Sequence, residues 1–154
     1  MEILWYTTTS VISRGIRLFT KSPFSHVALW IDDQLWESTA RGVVCRVGED
    51  ALNRKNLSKI GVTIEVNDTD KEQILEWLKH REGSSYSFLG LLSLGLAIIT
   101  GFDLILTPAG QYVCSTLVAT VLQYAGYIPM VDARNQTPAS LFILLGSGAL
   151  SGTI

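Results

Sequence analysis

The stretch YVCSTLVATVLQYAG, residues 112–126, decides how the rest of the chain is read. A polar, glycine-containing loop (TPAGQ, residues 107–111) leads into it. Leu117, Val118, Val121, Leu122 and Ala125 then recur at helical spacing, and Gly126 supplies a stop. Cys114 therefore falls in the first turn of an apolar helix. First-turn N–H groups have no helical partners, and that end carries roughly half a positive charge. A thiolate placed there is stabilised, so its pKa falls from about 8.5 and the sulfur becomes a better nucleophile near neutral pH. Cys114 also shares the apolar face with residues 117, 118 and 121, where a cysteine serves equally well as a small buried hydrophobe. Helix position alone leaves both roles open.

Composition bounds the alternatives. At 154 residues the chain is expected to form one domain, 1–154, with enough length for a real core. The formal net charge of −2 indicates no basic face for nucleic acid. Two cysteines, Cys45 and Cys114, are too few for a disulfide framework. With no CxxC clip and only His26 and His80 as histidines, no metal site is expected, and no motif calls for a cofactor. The first residues (MEILWY) lack the basic region of a signal peptide, so cytoplasmic residence is the default expectation, with membrane association or phage delivery as the other routes. Mean hydropathy is positive, and residues 86–107 cause most of it.

Outward from the Cys114 helix, the pattern mixes strands and helices in an α+β order. Residues 3–6 form a short apolar strand. Residues 7–10 cap a helix carrying Val11, Ile12, Ile16 and Phe19 on one side, ended by Ser22 and Pro23. Residues 25–31 (SHVALWI) and 34–39 (QLWEST) read as a hairpin about Asp32 and Asp33. That turn pairs Ile31 with Gln34, Trp30 with Leu35 and Leu29 with Trp36. Alternation then puts His26, Ala28, Trp30, Leu35 and Glu37 on one face. Glu37 lies diagonal to His26, roughly 5–8 Å between Cβ atoms, which a glutamate can bridge. Residues 42–47 and 59–66 are further strands, with a polar short helix or loop at 49–57 between them. Residues 71–81 form an amphipathic helix facing inward with Ile74, Leu75, Trp77 and Leu78, and His80 in its last turn suits the helix end without a further role. From residue 88 to 106 the one charge is Asp103. That run approaches the length of a membrane span. Gly90, Gly95 and Gly101 divide it and no cluster of Lys or Arg stands at its C-terminal end, which favours a buried helix plus a second short helix, part of it touching membrane or a partner. Thr137 and Pro138 start a last helix, with 139–145 as its apolar body.

Cysteine, histidine and carboxylate are the parts of thiol-based acyl transfer. Imidazole takes the thiol proton and later returns it to the leaving group, while the carboxylate fixes the ring tautomer. With Ser25-His26-Val27-Ala28-Leu29, Glu37-Ser38-Thr39-Ala40-Arg41-Gly42-Val43, Gly83-Ser84-Ser85-Tyr86, Val113-Cys114-Ser115-Thr116-Leu117-Val118 and Thr137-Pro138-Ala139-Ser140-Leu141 in this order, the chain resembles the circularly permuted papain-like group of the NlpC-type cysteine peptidase superfamily. That group includes hydrolases of the YiiX type and lecithin–retinol acyltransferase-like enzymes. In its permuted members the histidine precedes the cysteine, as here.

The resemblance implies a permuted papain-like fold, an antiparallel sheet packed against the helix that carries the cysteine. It implies Cys114 as nucleophile, His26 as general base and acid, and Glu37 as the orienting third member. The oxyanion would be held by the Cys114 N–H and a second donor, for which the resemblance suggests Tyr6. The expected activity is that of a thiol hydrolase or acyltransferase on an amide, thioester or ester, with a peptide, peptidoglycan or lipid-like substrate. The competing expectation is a non-catalytic papain-like module in a larger assembly or at a membrane, with the segment 86–107 as its contact surface.

Overall fold

A computed structural model describes residues 1–8, 10–48, 51–52, 59–101, 106–128 and 131–146. The chain is α+β, with five strands in one antiparallel sheet. Strands β1 (Glu2–Tyr6), β2 (His26–Ile31), β3 (Gln34–Thr39), β4 (Gly42–Val47) and β5 (Lys59–Thr63) are ordered β4-β3-β2-β1-β5. Helix α1 (Val11–Thr20) joins β1 to β2. Helices α2 (Asp68–Lys79), α3 (Phe88–Thr100), α4 (Cys114–Tyr124) and α5 (Pro138–Gly146) follow the sheet. The readings of residues 49–57, of Asp103 and of a second short helix after Gly101 fall largely outside the described residues.

The β2–β3 hairpin forms in the register its turn dictates: Ile31 faces Gln34, Trp30 faces Leu35 and Leu29 faces Trp36. Asp32 and Asp33 sit at φ 53° and 59°. Two consecutive left-handed residues are what a two-residue hairpin turn matching the strand twist requires. Aspartate tolerates that region at some cost, which is why the turn closes without the usual glycine.

Alternation splits the sheet into two unlike faces. Ile3, Trp5, Val27, Leu29, Ile31, Trp36 and Val43 pack with Leu117, Val118, Val121 and Leu122 of α4, Ile74 and Leu78 of α2, and Leu141 and Leu145 of α5. Helix α4 is buried along most of its length, as its nearly uniform apolarity demands. Trp5 also fastens α5, its indole N–H donating to the Pro138 carbonyl at 2.9 Å. The other face holds a smaller cluster of Leu4, Tyr6, Ala28, Leu35 and Ala51. His26 and Glu37 belong to that smaller face.

Three expectations are corrected. Helix α2 starts at Asp68, three residues before the apolar periodicity, because the Asn67 side chain accepts from the Asp70 N–H at 2.8 Å and caps it there. Strand β5 stops at Thr63, and Ile64 closes the edge by exchanging hydrogen bonds with Met1. Helix α3 is not a buried helix. Gly90, Ser93 and Leu94 face inward, whereas Leu89, Leu92, Leu96 and Ile99 face outward.

Replacing Asp33 with glycine relieves one left-handed residue while leaving the Lys71–Asp32 ion pair in place. The expected gain is up to about 1 kcal/mol, a rise of roughly 2–4 °C in Tm by thermal unfolding. A fall in Tm would mean that the Asp33 side chain stabilises the turn.

Candidate active site

Cys114 is the first residue of α4 and is almost fully buried. The residue before it, Val113, has no side-chain oxygen to cap the helix. Thr116 instead reaches back to accept from the Val113 N–H at 2.9 Å. This arrangement leaves the first-turn donors to the sulfur. Burial pushes the Cys114 thiol up. Against that, the imidazole of His26, by charge and by hydrogen bond, and the backbone N–H groups of Val27 and Ser115 pull it down, and the net shift is downward. Cys45 moves the opposite way, raised by burial and by the negative charge of Glu82.

His26 opens β2. Its Nε2 stands 3.0 Å from Oε2 of Glu37. With Nε2 engaged there, Nδ1 is the ring atom left to meet the thiol. Glu37 is 1% exposed, and a carboxylate that deep requires compensation. The Arg46 guanidinium pairs with its Oε1, and the Tyr6 hydroxyl donates to its Oε2. Arg46 stands two residues along β4 from Val44, the partner of Glu37, so the two side chains share a face diagonally. The Tyr6 ring also rests against the His26 ring, centroids 4.8 Å apart.

Cys114 approaches this pair from the core side of the sheet and meets it where β2 begins. A relay of backbone contacts holds it there. Residues 83 and 84 bond to both backbone groups of Val43 at 2.9 Å. Gly42 makes that approach possible, because a Cβ at its position would stand 2.5 Å from the Ser84 carbonyl oxygen. Tyr86 then bridges to Tyr112, and the Ser38 hydroxyl donates to the Tyr112 carbonyl at 2.7 Å. Sheet geometry is thus transmitted to the residue two places before the sulfur.

The sequence-predicted residues Cys114, His26 and Glu37 are brought together. Tyr6 is beside them in a different position from the one expected. Its hydroxyl donates to Glu37, so the contact it makes here is to the carboxylate. Tyr86 is a second phenol at the site. It lines a cleft of about 230 Å³ with Cys114, His26, Glu37 and Ser38. Burial, and next the negative charge of Cys114, raise the Tyr86 pKa well above the usual phenol range, so its hydroxyl keeps its proton. The sequence signal for Tyr86 was its place in the Gly83–Tyr86 motif, to which no role had been attached. Arg46 carried no signal at all. His80 is separate from the site and donates from Nδ1 to the Glu76 carbonyl at 2.8 Å. Among the described residues, no three His, Cys, Asp or Glu side chains gather as a metal cluster.

A second cleft, about 320 Å³, opens beside the first and reaches Val113, Cys114 and Ser115. Ile16 and Thr20 of α1, Leu91 and Gly95 of α3, and Pro138 of α5 help to line it, and its walls are almost wholly apolar. Compared with known proteins, the chain matches no family model and no curated protein.

Replacing Arg46 with methionine leaves the buried Glu37 charge uncompensated. Because Arg46 is about one-third exposed, solvent screening limits the expected loss to about 1–3 kcal/mol by urea unfolding. Arg46→Met with Glu37→Gln should lose less than the sum of the two single changes. Additive losses would show that the two side chains do not interact.

Proposed function

We propose that this chain is a thiol hydrolase or acyltransferase of permuted papain-like type, working through an acyl-enzyme on Cys114. The observation that carries this reading is the convergence on one sulfur of the His26 imidazole and two backbone N–H donors, with Glu37 behind the imidazole. A core cysteine needs none of these partners.

In this reading His26 takes the Cys114 proton, and the thiolate attacks the acyl carbon of the substrate. A C–S bond forms, and the carbonyl oxygen becomes an oxyanion. The Cys114 N–H and the Tyr86 hydroxyl are the donors available to it. As the intermediate collapses, the bond to the leaving group breaks, and the proton on His26 goes to that group. Water or an acceptor alcohol or amine then gives its proton to His26 and attacks the thioester, which frees the thiol. Glu37 keeps the ring in the productive tautomer and stabilises its cationic form. Tyr6 and Arg46 are positioning residues for Glu37. The apolar cleft at Cys114 favours an acyl group with hydrocarbon character over a charged peptide as the part of the substrate bound there.

The test begins with alkylation of both cysteines against pH, read by mass spectrometry. Cys114 should react near neutral pH, because its thiolate forms as pH rises through a lowered pKa. Cys45 should require pH above the ordinary thiol range. His26→Ala should move Cys114 to a slow, ordinary profile. Equal reactivity of the two cysteines, indifferent to His26, would support the binding-module reading instead.

Activity on p-nitrophenyl esters of increasing chain length tests the remaining roles. Tyr86→Phe should lower kcat about 10²-fold, the loss expected for one oxyanion donor, while Cys114 alkylation stays near its natural rate. Full kcat in Tyr86→Phe would remove the phenol from the oxyanion site.

A further inference from the structure

Helix α3 is built inside out. Its inward positions include Gly90 and Ser93, whereas Leu89, Leu92, Leu96 and Ile99 form a stripe at spacings of three, four and three residues on the outer side. Leu92 is 71% exposed and Ile99 62%. No charged side chain occurs anywhere from Phe88 to Thr100. A surface helix in water shows the reverse pattern, and a patch of this kind marks a contact surface.

The neighbouring helix says what the contact is. α1 packs against α3, and the two share the walls of the apolar cleft. Arg14 and Leu18 lie four residues apart on α1 and Lys21 is its C-cap, all three exposed, Leu18 74%. Arg17 adds a third cation, and the segment 11–21 holds no Asp or Glu. No acidic side chain pairs with Arg14, Arg17 or Lys21 among the described residues. Acidic residues gather instead on α2, at Asp68, Asp70, Glu72 and Glu76.

We propose that the α1–α3 face docks on an anionic lipid bilayer, with the α3 stripe and Leu18 in the acyl region and Arg14, Arg17 and Lys21 among the headgroups. A bilayer offers what this face lacks, hydrocarbon beside negative charge, with no demand for a fixed register. A second copy fits less well, because a two-fold pairing would set two unneutralised cationic rows on the rim of one interface. Helix α3 lies in the surface and does not cross it. Its 13 residues extend about 20 Å against a hydrocarbon core of about 30 Å. No helix among the described residues is long and apolar enough to cross a membrane. Leu92, Leu96 and Ile99 of the stripe also line the apolar cleft, so a lipid chain held by the docked stripe would lie beside the route to Cys114. The docking itself does not depend on catalysis.

The experiment is sedimentation of the full chain with vesicles of phosphatidylcholine, or of phosphatidylcholine mixed with phosphatidylglycerol. The protein should sediment with the mixed vesicles, less so as salt is raised, and weakly with phosphatidylcholine alone. Arg14→Ser with Lys21→Ser should cut partitioning on mixed vesicles by about twenty-five-fold, roughly fivefold for each cation, with little effect on neutral ones. Leu92→Gln with Leu96→Gln, both at water-exposed positions, should cut partitioning at least tenfold on both vesicle types while far-ultraviolet circular dichroism is unchanged. Cys114→Ala should bind as the natural chain does, which separates docking from the acyl-enzyme reading. Equal sedimentation of the natural chain and the leucine variant would overturn the proposal. So would light scattering that shows a dimer converted to monomer by the same two substitutions, since the stripe would then be an interface between copies.

Discussion

A carboxylate at the bottom of a sheet must be compensated, and the arrangement around Glu37 follows from that constraint. Arg46 neutralises one oxygen, and His26 and Tyr6 hold the other. Each partner is supplied by a different strand, so the sheet order β4-β3-β2-β1 is also the order Arg46, Glu37, His26, Tyr6. Were the carboxylate not fixed, the imidazole would have no preferred tautomer, and the nitrogen facing Cys114 would be undefined. The way the imidazole is presented to the sulfur therefore rests on a charge balance made one layer behind it.

The second demand is that a helix end meet that network without burying unsatisfied donors. α4 is inserted into the core by Leu117, Val118, Val121 and Leu122, and its depth is set by their packing on β2 and β3. Valine at the N-cap cannot satisfy the first-turn N–H groups, and the Cys114 sulfur takes up that of Ser115. Ser38 and the Tyr86–Tyr112 bridge then fix where the helix begins. Packing fixes the helix along its length, and polar contacts fix its end. The sulfur needs both, because a small shift in either would take it out of reach of His26.

The apolar outer side of α3 belongs to the same economy. Small residues inward let α3 sit close to the loop beneath it. Its Ser93 hydroxyl accepts from the Leu106 N–H at 3.0 Å, and its Ser87 cap accepts from the Gly90 N–H at 3.0 Å. The bulky residues are then left outside, where they wall one side of the cleft that leads to Cys114. An apolar cleft and a polar side-chain cluster adjoin at Cys114, with neither intruding on the other.

The sequence by itself determined the local items. Alternation and a two-residue turn were enough to place His26 and Glu37 on one face, because strand geometry fixes side-chain direction at every second residue. Helical spacing and the preceding loop were enough to put Cys114 at a helix start. Only the tertiary structure decided the rest. Tyr6 became a partner of Glu37 only through the sheet register, which sets it opposite His26. Arg46 was silent because it lies nine residues from Glu37 in the chain and becomes its partner through the β3–β4 register. The apolar run of 88–106 read as buried because hydropathy records what a segment contains, whereas the direction it faces is set by Gly90 and Ser93 packing inward.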